Sequence, residues 1–561
     1  MEKIKYNTLV FLTLIFVVSL HLAACNKSVD GNVSDPSKSR SFTPTNLSVK
    51  TSKDSAFFTW TAPLFSINNM TYTVDIATDT SFSSIVYSVV SDTMNAVATD
   101  SILQLNTPYY TRVRVNPYTI LAASNYCVST HSFKLLGFQF LKPIRDFDIT
   151  PTSLLLNWYL NENTKGVTNV VVTPSGGVPT SVPVSASEVN AGSKSITGLV
   201  AGKKYELQLF AGKKSMGITS FTTQTIPSYN AIITAGVDSL AAAIAAAADG
   251  DVIGLNPGTY TLASATPILQ KTITIRSVSN NPSDTKILSR ELDLVGNGAG
   301  ISLIGIDVSG NYSGTSYGTT FLQMFGDQTT ISLPATFTNI KIDNCTIHDY
   351  SRCIIRGNYG TNANDFKIGN ISINNSQIYN IDQVSTTGYY QFVLDKVQFN
   401  NISFTKSTFY NLGNGMISMS TQLAAPTLIP NINIDYCTFN NIGGSGKYLL
   451  LDAKANLLNY NLSNSIFANT PINGTLNTAA FRSTGVGNIL TFSNNNYFKF
   501  TSSIGGLDLV LTGLLQANDI TNDLGWSPST TNFSLAALPS SNSIFSASSN
   551  NGTIGDPRWA Y

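Results

Sequence analysis

A phrase that returns about every thirty residues governs what this chain can fold into. It begins at Asn339, Asn370, Asn401, Asn431 and Asn459, and its columns align without gaps. One step on stand Ile340, Ile371, Ile402, Ile432 and Tyr460; three steps on, Ile342, Ile373, Phe404, Ile434 and Leu462. Six steps on the residue is small (Cys345, Ser376, Ser407, Cys437, Ser465), and eight steps on it is large and apolar again (Ile347, Ile378, Phe409, Phe439, Phe467). Apolar residues two apart belong to strands, and strands this short cannot bury an apolar face alone. Stacked on copies of themselves about 4.8 Å apart they can, with like lying over like and the recurring Asn amides bonding from rung to rung. The expected fold is therefore all-β, with a right-handed single-stranded parallel β-helix as its largest part. The Leu-x-x-Leu-x-Leu frame of a leucine-rich repeat is missing.

The chain has 561 residues, enough for several domains, and only 12% are charged, with 33 Lys and Arg against 32 Asp and Glu. No basic stripe exists for nucleic acid, so none is expected as a partner. Of the five cysteines, Cys345 and Cys437 lie three rungs apart, beyond the reach of a disulfide. Cys353 follows Cys345 in one rung, and both read as small core residues. No Cys-x-x-Cys or His/Cys cluster points to zinc.

At the start, Lys3 and Lys5 precede an uncharged, mostly apolar run, Leu9–Leu20, and then Leu22-Ala23-Ala24-Cys25. The run is too short to span a bilayer and suits a signal peptide over 1–24. The last four residues resemble a bacterial lipobox, which implies a lipid anchor on Cys25, followed by a polar tether over 25–40. Two stretches then alternate as sandwich strands do, 41–135 and 137–225. Trp60 closes the run Ala56-Phe57-Phe58-Thr59-Trp60, and Leu103 precedes Tyr109 by six residues. Trp158 and the pair Leu199 and Tyr205 repeat that frame. Both stretches resemble fibronectin type III modules, with a strand Trp and a Leu-to-Tyr corner. Such modules act as spacers or bind ligands.

Over 230–561 the solenoid is expected, opened by a helix over Asp238–Ala248 with Asp238 as its cap and Leu240, Ile244 and Ala247 on one face. The helix, followed by Asp251-Val252-Ile253 and Pro257-Gly258-Thr259-Tyr260, resembles the N-terminal end of pectate-lyase-like β-helices, where it covers open strand edges. Gly310–Thr320 is expected to loop out. Gly555-Asp556-Pro557-Arg558-Trp559 near the C-terminus is expected to close the far end, with Trp559 against the last rungs. As a whole the chain resembles Bacteroidetes-type surface lipoproteins of unknown function, with fibronectin-like modules ahead of a chondroitinase B-like β-helix. That resemblance implies an outer-membrane lipoprotein of a Gram-negative bacterium, at the cell surface, serving polysaccharide utilisation.

A site on a solenoid appears as polar residues at one depth in neighbouring rungs. Cys353-Ile354-Ile355-Arg356, Val393-Leu394-Asp395-Lys396, Leu450-Leu451-Asp452-Ala453-Lys454 and Ala480-Phe481-Arg482 form such a series. Stacked, they put Arg356, Asp395, Asp452 and Arg482 on one face, with Lys396 and Lys454 beside them. Arg can hold a uronate carboxylate, and an Asp pair can hold Ca2+, although no calcium motif is present and no cofactor is expected. The same residues also fit solvated charges that keep a sheet face soluble. Tyr312, Tyr317, Tyr359, Tyr389 and Tyr390 are candidates for stacking on sugar rings.

Elimination from a uronate needs a base and a cation. The β-helix lyases resembling chondroitinase B and alginate lyases use Lys and Arg, and Arg356 with Gly357 fits their Arg position. Their Lys position falls on Ala335, and Lys341 lies too early in its rung to replace it. If the chain were a lyase, Arg356 and Lys396 would be its residues. The Trp-Ile-Asp-His signature of pectate lyases is missing, and so are the hydrolase motifs of polygalacturonases. His348 shows no carboxylate or serine partner and reads as a surface or turn residue. The expected function is a monomeric, non-catalytic protein binding a polysaccharide or oligosaccharide, or a scaffold, attached to the membrane through Cys25. A lyase or hydrolase acting on uronate-containing glycans, and an adhesin, are the alternatives.

Overall fold

The computed structural model describes residues 39–382, 389–423, 428–443, 448–470, 480–500, 515–539 and 541–561. The signal-like segment, Cys25 and most of the tether lie outside them. Among the described residues no helix is long and apolar enough to cross a membrane. The chain divides into two compact units: residues up to Leu141 with Trp158–Gly192 and Glu206–Ser220, and Lys142–Asn157 with Ser193–Tyr205 and Phe221–Tyr561.

Two fibronectin type III-like sandwiches precede a parallel β-solenoid. In the first, Thr45–Thr51, Ser55–Thr61 and Asn95–Thr99 form one antiparallel sheet, and Ile85–Ser91, Tyr72–Ala77, Tyr110–Val115 and Cys127–Val128 the other. Strand alternation turns Ala56, Phe58 and Trp60 inward with Tyr72, Val74 and Ile76, while Phe57 faces out. Both tyrosine corners are made: Gln104 N donates to Tyr109 Oη at 2.9 Å, and Val200 N donates to Tyr205 Oη at 2.8 Å.

The solenoid has three parallel sheets of eleven, nine and eight strands among the described residues. The first runs through Ala335–Asp343, Phe366–Asn374, Val397–Thr405 and Asn431–Asp435; the second through Thr346–His348, Gln377–Ile381, Thr408–Leu412 and Thr438–Ile442. The third runs through Leu292–Val295, Thr320–Phe325, Cys353–Arg356, Phe392–Val393, Ile417–Ser418, Leu451–Lys454 and Phe481–Ser483. The repeated columns stack in register: Ile340 pairs with Ile371, Ile371 with Ile402, Ile402 with Ile432, and Ile432 with Tyr460. Phe439 lies over Phe467 with ring centres 4.4 Å apart and planes 1° from parallel. One continuous apolar core results.

Polar ladders bind the rungs from outside. Asn370, Asn401, Asn431 and Asn459 each donate through Nδ2 to the preceding Asn Oδ1, over 2.7–3.2 Å. The small-residue column does more than save space. Ser376 Oγ accepts from Cys345 N at 3.0 Å, Ser407 Oγ from Ser376 N at 3.1 Å, and Ser465 Oγ from Cys437 N at 3.0 Å. Turn amides that no strand reaches are satisfied in this way. Cys345, Cys353 and Cys437 are free and buried.

Two details differ from expectation. The opening helix is Leu240–Ala246, and Ser239 caps it by accepting from Ala242 N, while Asp238 accepts from Thr234 N instead. Lys271 Nζ closes its other end on the carbonyls of Ile244, Ala245 and Ala247. The C-terminal segment begins on the last described rung, where Ile520 pairs with Asn496, but Gly555–Trp559 do not lie there. It returns along the outer face of the second sheet, packing Leu524, Trp526, Phe533, Ile544 and Ile554 against Tyr410, Ile466 and Ala468. Asp556 and Trp559 both bond Thr408, and Arg558 Nη2 reaches Asn375 O at 2.7 Å, several rungs before the last. The second sheet's outer face is apolar at Tyr410, Ile466 and Ala468, and the segment takes that surface out of water.

Candidate functional site

The third sheet carries the candidate site, because its strands are short and its outward residues form one column. Register pairs Asp293 with Gln323, Gln323 with Arg356, Arg356 with Val393, Val393 with Ser418, Ser418 with Asp452, and Asp452 with Arg482. Arg356, Asp452 and Arg482 therefore share the face expected of them. Asp395 does not: Val393 holds its place, and the Asp395 carboxylate turns to Ser418 Oγ at 2.8 Å and to Ser420 N and Oγ, each at 2.7 Å.

Asp452 and Arg482 neutralise each other. Arg482 Nε and Nη2 donate to the two Asp452 oxygens, each at 2.6 Å, and Tyr390 Oη adds a third contact at 3.3 Å. The Arg482 guanidinium also lies 4.7 Å from the Tyr448 ring centre. Asp395 and Asp452 thus serve different partners and do not make a cation-holding pair. Among the described residues no group of three or more His, Cys, Asp or Glu could hold a metal ion.

Arg356 stands differently. Three rungs from Asp452, about 14 Å along the axis, it donates Nε to Asn358 Oδ1 at 3.0 Å. Its guanidinium lies between the rings of Tyr359 at 4.5 Å and Tyr389 at 5.4 Å. Arg352 approaches the same Tyr389 ring at 5.5 Å. Neither arginine has a carboxylate partner among the described residues, so this patch is cationic and flanked by aromatic faces. Beneath it, Tyr359 Oη donates to Gln323 Oε1, whose amide donates to Glu291 at 2.5 Å. Asp293, one rung further down, is 7% exposed with Oδ1 unpartnered. Burial first, then the charge of Glu291, pushes Asp293 up to about 7, against the pull of Arg290.

Other expected residues fall elsewhere. Tyr390 is buried against Cys353 and Val393 and offers no ring to a ligand, whereas Tyr389 is half-buried. Lys396 Nζ donates to Gly360 O at 2.5 Å. Lys454 is exposed after a register shift that sets it opposite Ser483. Ala335 is buried, opening the strand Ala335–Asp343, and Lys341 Nζ lies 3.4 Å from Asp343. Tyr312 and Tyr317 lie on the loop after Ser309, Tyr317 being exposed. His348 is neither superficial nor alone. It is buried in the second sheet, with Nδ1 2.7 Å from Asp349, Nε2 2.9 Å from Asp307, and its ring stacked 4.8 Å over Tyr379. Burial opposes its charge, but Asp307 and Asp349 outweigh burial and hold its pKa above the ordinary histidine value.

Sequence reasoning missed Arg352, Asp293, Glu291 and Gln323. The signal was available for Asp293 and Gln323, since they precede Arg356 in the same column, but the loop between Ser309 and Thr320 hides the spacing.

The fold and this patch define an all-β protein with fibronectin type III-like modules ahead of a parallel β-solenoid. Residues 258–412 match the family model described as a domain of unknown function, DUF4957. No curated protein matches the chain. Among solved structures, the FN1–FN3 domains of chicken CNTN1 align at 13% identity over 34% of this chain and 68% of theirs, with a TM-score of 0.15. A two-domain fibronectin type III segment of chicken tenascin aligns at 18% identity over 33% of this chain and 99% of its own, with a TM-score of 0.16. The PL6 family alginate lyase AlyGC aligns at 15% identity, covering 62% of this chain and 46% of that one, with a TM-score of 0.30. The match spans less than half of the lyase's length.

Proposed function

We propose that this chain binds an acidic, uronate-containing glycan without cleaving it, as a surface lipoprotein of a polysaccharide-utilisation system anchored through Cys25. One observation carries the reading: among the described residues Arg356 and Arg352 have no carboxylate partner and both approach the Tyr389 ring, while Arg482 in the same column is already paired with Asp452. A guanidinium fork matches a carboxylate, and tyrosine faces match the apolar faces of sugar rings. Candidate bases near this face have other work. Lys396 holds Gly360 O, Lys341 lies beside Asp343, and the position that the lyase resemblance assigns to a base is buried Ala335.

The test is isothermal titration of the full chain against oligosaccharides of uronate polymers and of neutral glycans. Binding of the uronate series only, lost in Arg356→Ala, is expected. Absence of binding to every acidic glycan overturns the reading. An absorbance rise at the unsaturated-uronate band would replace it with the lyase alternative.

A further inference from the structure

The first sandwich ends in an apolar tip where the chain enters it. Phe42 is 55% exposed, and in the neighbouring loop Leu64, Phe65 and Ile67 are 72%, 82% and 51% exposed. The rings of Phe42 and Phe65 lie 5.7 Å apart. A second loop joins them through its backbone, as Ser41 N donates to Ala122 O at 3.1 Å and Ala122 N to Ser39 O at 2.9 Å; it exposes Ile120 by 68%. Residues 62–71 and 116–126 contain no charged side chain. Phe65 is held at φ 57°, a conformation unusual for a bulky side chain, with its ring turned to solvent. Soluble surfaces scatter single apolar residues, and a contiguous group of this size marks a contact.

The position of this group indicates what it meets. The chain preceding Ser39 is 38 residues long, carries the apolar run Leu9–Leu20 and Cys25, and joins the domain at this tip. We propose that Phe42, Leu64, Phe65, Ile67 and Ile120 insert into the lipid surface that holds the N-terminal segment. The inference rests on the anchor reading above. The lipid on Cys25 holds the chain by its end, and an apolar contact at the tip adds buried area to that attachment. The charge beside these side chains is Arg40, exposed and donating to Asn125 Oδ1 at 2.9 Å, and a guanidinium suits the phosphate headgroup layer while the aromatic and aliphatic side chains enter beneath it.

The experiment uses the full chain with phosphatidylcholine vesicles whose acyl chains are brominated. Phe65→Trp places an indole at the tip, and the parent protein supplies the baseline of the native tryptophans. Blue-shifted, bromine-quenched emission beyond that baseline is expected, as is a several-fold loss of vesicle-bound Cys25→Ala chain when Leu64→Ser and Phe65→Ser are added. If the chain floats with vesicles but the new indole stays unquenched, the tip proposal is overturned and the anchor reading stands. If the chain purified from bacterial membranes with its native processing does not float at all, both are overturned. If the indole is blue-shifted without lipid, in proportion to protein concentration, the tip meets a second copy and the membrane proposal fails.

Discussion

Arg482 sits over Asp452 in the adjacent rung and grips both of its carboxylate oxygens at 2.6 Å, while Arg356, in the same column, grips no carboxylate among the described residues and bonds Asn358 instead. Two arginines of one face therefore stand in different electrostatic settings, and substitution separates them. Arg482→Ala leaves Asp452 buried without its counter-charge, which costs about 2–3 kcal/mol. Arg356→Ala removes ring contacts worth about 0.5–1 kcal/mol. Urea unfolding is expected to show a marked loss for the first and little for the second, with glycan binding lost in the second.

Asp293 predicts a pH dependence of stability. Its folded pKa, about 7, lies above the ordinary 3.8. The folded state therefore holds the proton more tightly than the unfolded state, and this favours folding fully below about pH 4. The advantage fades as pH rises through 7, and above that the buried charge costs on the order of a few kcal/mol. Asp293→Asn is expected to flatten the slope between pH 4 and 7 and to raise stability at pH 8, measured by denaturant midpoint at each pH.

His348 acts in a later window. Its pKa is raised from 6.5 by Asp307 and Asp349 against the effect of burial, so the stabilisation is complete below 6.5 and is lost as pH rises through the folded value. His348→Gln is expected to lower stability at pH 6 and to have a smaller effect at pH 9. Nuclear magnetic resonance titration of the imidazole should give a midpoint above the ordinary one. A midpoint at or below it refutes the assignment of His348 as a doubly held cation.

How far the sequence discloses these features depends on strand length. The columns led by Ile340, Ile342 and Ile347 are legible because each strand places an apolar residue every second position and the rungs repeat the phrase intact. Third-sheet strands such as Phe392–Val393 and Ile417–Ser418 are two residues long. The loops between them carry no period, so spacing alone points to Asp395 where the register places Val393. The partners of His348 were hidden for a related reason. Asp307 lies 41 residues earlier, across a looped insertion, and Asp349 reaches the ring only because its backbone turns at φ 62°. The C-terminal segment has no period at all, so its apolar residues gave no indication of which face they would cover.

The segment's hold on the rungs can be measured at Thr408. This hydroxyl donates to Asp556 Oδ2 and accepts from Trp559 Nε1, both at 2.7 Å, while Trp559 packs edge-on against Phe533. Trp559→Ala is expected to cost about 3 kcal/mol. Hydrogen exchange should quicken over residues 541–561 and the strands around Thr408, and leave the rungs near Ile273 unchanged.

The returning segment also alters how the protein can be assembled. A stack of rungs with only neighbour contacts can grow as it leaves the ribosome, each new turn settling on the last. Here the seat around Asn375, Thr408 and Thr438 stays unfilled until residues 555–559 have been synthesised, some 150 residues later. The final residues act as a latch on rungs already formed, so truncation by even a few of them is felt mid-solenoid and not at the cut.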